Sequence, residues 1–161
     1  MGLARACSLK VGSRPMVGCA GLSPRLADVL PARDCVSETI CDTPRFLGQD
    51  ESTAKPYTLQ DPSAATCVLT ALRDGTPGTV SWSATGAAVP GQFSHGTRLY
   101  IRANRVVLSE WHEYADAPFG AESRGPSVLA DATTFTACLA ETDPDAIWDC
   151  LEGWEDHCAV P

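Results

Sequence analysis

"TRLYIRANRVVLSEWHEY", residues 97–114, decides the fold. In its first half Leu99 and Ile101 alternate with Arg98, Tyr100 and Arg102, the two-residue period of a strand with one apolar face. In its second half Glu110, His112 and Tyr114 fall on one face, with Ser109, Trp111 and Glu113 on the other. Asn104 lies between the two runs, and asparagine tolerates the positive φ of a tight hairpin turn. Upstream, "GTVSWSAT" at 78–85 alternates Val80, Trp82 and Ala84 with Thr79, Ser81 and Ser83. Three antiparallel strands follow from this pattern.

The helices are signalled by their ends. In "DPSAATCVLTALRDG", Asp61 can cap, Pro62 suits the first helical position, and Gly75 can take the left-handed stop. Ala64, Cys67, Val68, Ala71 and Leu72 recur at helical spacing, which turns Cys67 toward the core. Near the C-terminus, Asp131 caps a second helix with Ala132, Phe135, Cys138 and Leu139 on one stripe. Asp143 and Pro144 open a third, with Ile147, Cys150, Leu151 and Trp154 on its stripe. Residues 35–56 and the Pro- and Gly-bearing 115–127 show no clear period and read as loop. The expected fold is α+β: a small antiparallel sheet of about three strands, one long helix and a C-terminal helical hairpin, stapled by disulfides.

Charge divides the 161-residue chain. Residues 1–33 carry five basic groups and one acid and read as a leader or flexible tether. Residues 34–161 carry seven basic groups and nineteen acids and read as a single cysteine-rich domain. A net charge of −12 over the folded part repels phosphate backbones, so nucleic acid is an excluded partner. No run approaches eighteen apolar residues, which rules out a transmembrane helix in this sequence.

Eight cysteines in so short a chain indicate pairing in an oxidising compartment, hence export to the periplasm, the outer membrane or the medium. Cys35, Cys41, Cys67, Cys138, Cys150 and Cys158 are the candidate disulfide formers. Cys138 and Cys150 fall on facing stripes of the expected hairpin, while Cys67 and Cys158 are rival partners for either thiol. "MVGC" at 16–19 resembles a bacterial lipobox with Cys19 as the acceptor of a lipid anchor. Arg14 and Pro15 stand where its apolar helix belongs.

The stretch "CLAETDPDAIWDCLEGWEDHC", residues 138–158, raises the alternative of a metal-binding domain. Its ligands would be Cys150, His157 and Cys158, or Asp143, Asp145, Asp149, Glu152, Glu155 and Asp156. The short cysteine pairs of zinc sites are missing. A calcium loop opening at Asp143 would place Ile147 and Trp148 where an oxygen ligand and a glycine are required. The acids read most simply as a solvated helix face, and no metal or cofactor is expected.

A hydrolase using His112 with Glu110 is a second alternative, without a G-x-S-x-G elbow or H-E-x-x-H helix to support it. Tyr100, Arg102, Glu110, His112 and Tyr114 instead suggest a polar, aromatic recognition face on two neighbouring strands. The capped "DPSAATCVLTALRDGTPG", the meander and the "FTACLAETDP…DCL" tail together resemble small cysteine-rich exported proteins or lipoproteins of high-GC, myxobacterial-type genomes. That resemblance implies an envelope or extracellular location and no activity. The expected function is a non-catalytic, secreted or cell-envelope interaction module, its partner an unknown protein or envelope component.

Overall fold

The computed structural model describes residues 38–49, 54–86, 93–102, 105–115 and 117–156. The leader at 1–33, Cys19, Cys35, the Asn104 turn, His157 and Cys158 lie outside the described residues. In chain order the elements are β1 (Arg45–Gly48), β2 (Tyr57–Leu59), α1 (Pro62–Asp74), β3 (Gly78–Thr85), β4 (Phe93–Ile101), β5 (Val106–Ala115), β6 (Ala117–Val128), α2 (Ala132–Cys138) and α3 (Pro144–Glu152).

The fold remains α+β, but the three-stranded antiparallel sheet is replaced by one of six strands ordered β2-β1-β3-β4-β5-β6. It is mixed, because β1 runs parallel to β3 while the other neighbouring pairs are antiparallel. Two segments expected to be loop supply the extra strands. β1 and β2 are only four and three residues long, too short to display a period, yet Phe46 is fully buried and meets Tyr57 and Trp148 edge-on. β6 contains Gly120, Gly125 and Pro126, which break the pattern in sequence. It lies at the sheet edge, where proline is tolerated, and Gly125 and Pro126 fall inside a register shift between Val107 and Ser109 of β5.

The three helices form one layer. The Asp61 carboxylate accepts the N–H groups of Ser63 and Ala64, each at 3.1 Å. Gly75 ends α1 at φ 63°, with its own N–H turned back to the Ala71 and Leu72 carbonyls. Arg105 finishes this cap from the β4–β5 turn, donating to Leu72, Arg73 and Ala130 carbonyls at 3.2, 2.7 and 2.5 Å. The buried stripe of α1 is Ala64, Ala65, Val68, Leu69, Ala71 and Leu72. It is rotated from the expected one toward Ala65 and Leu69, so Cys67 is exposed rather than core-facing.

Cys67 is joined to Cys41, and Cys138 to Cys150, with Cα separations of 5.9 and 5.8 Å. α2 packs chiefly against α1 while α3 reaches down to β2, so the two C-terminal helices belong to the common layer and make no separate hairpin. Both described disulfides therefore tether helices. Phe46, Tyr57, Val80, Trp82, Ala84, Leu99, Ile101 and Val107 form the sheet's contribution to the core under them.

Candidate functional site

The antiparallel register of β4 and β5 sets Arg98 opposite Glu110, Tyr100 opposite Leu108 and Gly96 opposite His112. These residues and Arg102 share the face turned away from Leu99 and Ile101, because strand side chains alternate. The sequence-predicted recognition residues Tyr100, Arg102, Glu110 and His112 thus come together. Tyr114 enters through its backbone, which pairs with Ser94. Arg98 was not among the expected site residues, although a turn centred on Asn104 already implies its pairing with Glu110.

Three interactions organise the face. The Tyr100 hydroxyl donates to the Glu110 carboxylate at 2.9 Å, and Arg98 Nη1 stands 3.9 Å from the same oxygen. Burial, then the hydrogen bond to Glu110, pushes the Tyr100 phenol above its ordinary value. The His112 imidazole lies over Gly96, where a Cβ would come within 2.9 Å of the ring and 2.6 Å of the Trp82 carbonyl. Only glycine gives β5 that approach. Burial lowers the pKa of His112 below the usual histidine value, helped by the charges of Arg98 and His95 and opposed by Glu110.

Arg102 is the exception on this face. Its side chain is buried, with 6% of the residue exposed, yet Nε and Nη2 have no hydrogen-bond partner. Its backbone N–H closes the turn by donating to Val106 at 2.7 Å. A strand of alternating polar residues reads as a wet face, and here Tyr100, Leu108, Thr79 and Arg102 are all buried. The sequence carries no signal for that burial.

A hydrolytic pairing of Glu110 with His112 competes with the contacts just described. The carboxylate is already held by the Tyr100 hydroxyl and sits beside the Arg98 guanidinium. The metal alternative also loses ligands, since Cys150 is spent in a disulfide. Among the described residues no group of three or more His, Cys, Asp or Glu could hold an ion.

Asp143, Asp149 and Glu152 of the C-terminal stretch are exposed, and with Asp145 they also have specific partners. Asp143 caps α3 through the Asp145 N–H, and Asp145 accepts the Tyr57 N–H at 2.7 Å. Asp149 holds Lys55 at 2.5 Å. Glu152 accepts Trp82 Nε1 at 2.7 Å, satisfying the indole N–H of a fully buried tryptophan. These contacts fasten α3 to the sheet.

No helix among the described residues is long and apolar enough to cross a membrane. A comparison with known protein families, with curated proteins and with solved structures finds no match.

Proposed function

We propose that this protein is an exported, disulfide-stapled interaction module that engages a partner through the Arg98, Tyr100, Arg102, Glu110 and His112 face, without chemistry of its own. The observation that carries the reading is the exposed Arg98 guanidinium, set 3.9 Å from Glu110 and on the same sheet face as the half-buried His112. A charged and aromatic cluster of this kind on one sheet face suits polar recognition of a partner. The two disulfides support export, because such bonds persist in oxidising compartments. They also hold the helical layer rigid behind the sheet, which keeps the recognition face preorganised.

The test is photo-crosslinking in native cells, with a photoreactive residue at Arg98 and, as a control, at exposed Thr136 on α2. A discrete adduct from position 98 that is missing from position 136 is the expected result. Equal patterns at the two positions would sink the reading. Recovery of the protein from a reducing compartment with Cys41, Cys67, Cys138 and Cys150 open to alkylation would remove its exported part.

A further inference from the structure

We infer that the open sheet face, the one turned away from the helices, binds an acidic segment of a partner protein and holds two of its carboxylates with Arg45 and Arg98; this rests on the reading of that face as an interaction surface. The sheet register brings the two arginines to one side. Arg45 of β1 lies beside Ser83 of β3, and Arg98 of β4 lies opposite Ser81, two residues along the same strand. Ser81 and Ser83 face outward with them, because Trp82 and Ala84 alternate into the core. Both arginines are exposed, and 50% of the Arg98 side chain is open to solvent. Arg45 makes no ion pair among the described residues, and Arg98 Nη1 stands 3.9 Å from Glu110, beyond hydrogen-bond reach.

The charges of the molecule are sorted by side. β1, β3, β4 and β5 together contain two acids. Alternation places Glu110 on the open face and Glu113 on the helix side, where its charge acts on His95. The helical layer, by contrast, carries Asp61, Asp74, Asp131, Asp145, Asp149 and Glu152. A partner meets positive charge on the open face and negative charge on the other, and that complementarity selects an acidic surface. Guanidinium forks fit carboxylates, and two of them neutralise two charges. A nucleic acid or an anionic membrane brings many more charges, which a chain of net charge −8 repels.

The spacing suits a peptide. Two strand separations across and two residues along set the arginine backbones roughly 12 Å apart, close to the span of about four residues in an extended chain. Between them lies a floor of small side chains, the half-buried Ser81 and Ser83, whose hydroxyls can serve a main chain. Thr43 shares a hydrogen bond with Ser81 at 2.8 Å on one side, and the His112 ring lies over Gly96 on the other.

The experiment is an NMR titration of the full, disulfide-intact chain at low salt with a blocked, serine-rich peptide carrying two glutamates four positions apart. Wild-type shifts should centre on Ser81, Ser83 and Gly96. Arg45→Gln and Arg98→Gln should each weaken binding about four-fold and the pair about 15-fold, since separated sites add. Arg73→Gln, which removes an arginine from the helical layer, should change nothing. A glutamine version of the peptide should not bind, and a lysine version should bind only the Arg45→Glu, Arg98→Glu double variant. Unchanged amide spectra away from the face show that each variant is folded.

Binding that survives the double substitution would overturn the assignment, as would an equal loss in Arg73→Gln or shifts centred on the helices. Tighter binding of a uronic-acid polymer than of the peptide, with the same arginine dependence, would transfer the site to carbohydrate. Tighter binding of phosphatidylglycerol vesicles would transfer it to a membrane surface. The native-cell crosslink is repeated from Ser83, which leaves both arginines in place. If the peptide fails to bind while that crosslink forms, the acidic partner is wrong and the interaction surface stands. If no crosslink forms and the peptide still binds through Arg45 and Arg98, the site stands and the wider reading of the face falls.

Discussion

The two faces of the sheet are built from alternate residues of the same strands and do different work. Toward the helices, Val80, Trp82, Ala84, Leu99, Ile101 and Val107 are fully buried with Phe46, and the one polar handle in that set, the Trp82 indole N–H, is taken by Glu152. Toward the other side, Tyr100, Arg102 and Thr79 are also buried but carry polar groups, and the pairing there is incomplete at Arg102. Apolar area stabilises in proportion to its burial, whereas polar pairs add little net stability and supply direction. The helix side should therefore hold the fold, and the opposite side should hold a partner. Trp82→Ala tests the contrast most severely, with an expected loss of about 3–5 kcal/mol in urea unfolding. Tyr100→Phe, which removes only the hydroxyl on Glu110, should cost about 1 kcal/mol. Equal costs would mean that the polar face is a second core.

The staples sharpen the same comparison, since both described disulfides lie with the helices. In the chain-entropy view, removing Cys138–Cys150 by a double alanine substitution should cost about 3 kcal/mol, and removing Cys41–Cys67, which closes the longer loop, about 3.5 kcal/mol. Their accessibility differs more than their energies. Cys67 is exposed at a depression of about 510 Å³ lined by Thr39, Asp42, Ser63 and others, whereas Cys138 is buried against the core. Mild reductant followed by alkylation should open Cys41–Cys67 first. Amide exchange of the double mutants should quicken in α1 to α3 while β4 and β5 keep their protection. Loss of protection in β4 first would show that the recognition face depends on the helical layer for its order.

What the sequence disclosed follows from how local each signal is. α1 was legible from Asp61 to Gly75 because both caps are encoded in single residues, and β3, β4 and β5 because eight to ten residues display a period. β1 and β2 were not, since Phe46 and Tyr57 gain their meaning only by meeting Trp148 from α3. The parallel pairing of β1 with β3 is likewise a tertiary choice with no local mark. The sharing of one face by Tyr100, Arg102, Glu110 and His112 was readable by alternation. That Arg102 is buried was not, because polarity alone reads as exposure. Cys67 misled for a related reason: Ala64 and Ala65 are equally small, so composition could not say which way α1 rolls.

The smallest expected effect compares the two histidines, one on each side of the sheet. His95 meets Trp148 edge-on at 5.2 Å beneath the helices, and burial lowers its pKa against the opposing charges of Glu152 and Glu113. His112 is lowered by burial and by Arg98 and His95, against Glu110. For both, the unfolded chain takes up a proton near pH 6.5 while the folded chain resists it, so below that pH the unfolded state binds more protons. Stability is fully present above about pH 6.5 and declines as the pH falls toward the lowered folded values. Carboxylates held below their usual range, Asp61 and Asp131 at helix starts and Asp74 beside Arg73, act in a separate window, their contribution disappearing only below about pH 4. A Tm profile should therefore step twice, first by about 1–2 °C as the pH falls below about 6.5 and then more steeply in acid. His95→Gln and His112→Gln should each flatten part of the first step and leave the second. A first step that persists in the double variant would place the titrating group elsewhere in the chain, and one removed wholly by His112→Gln would put the proton-sensitive burial on the recognition face alone.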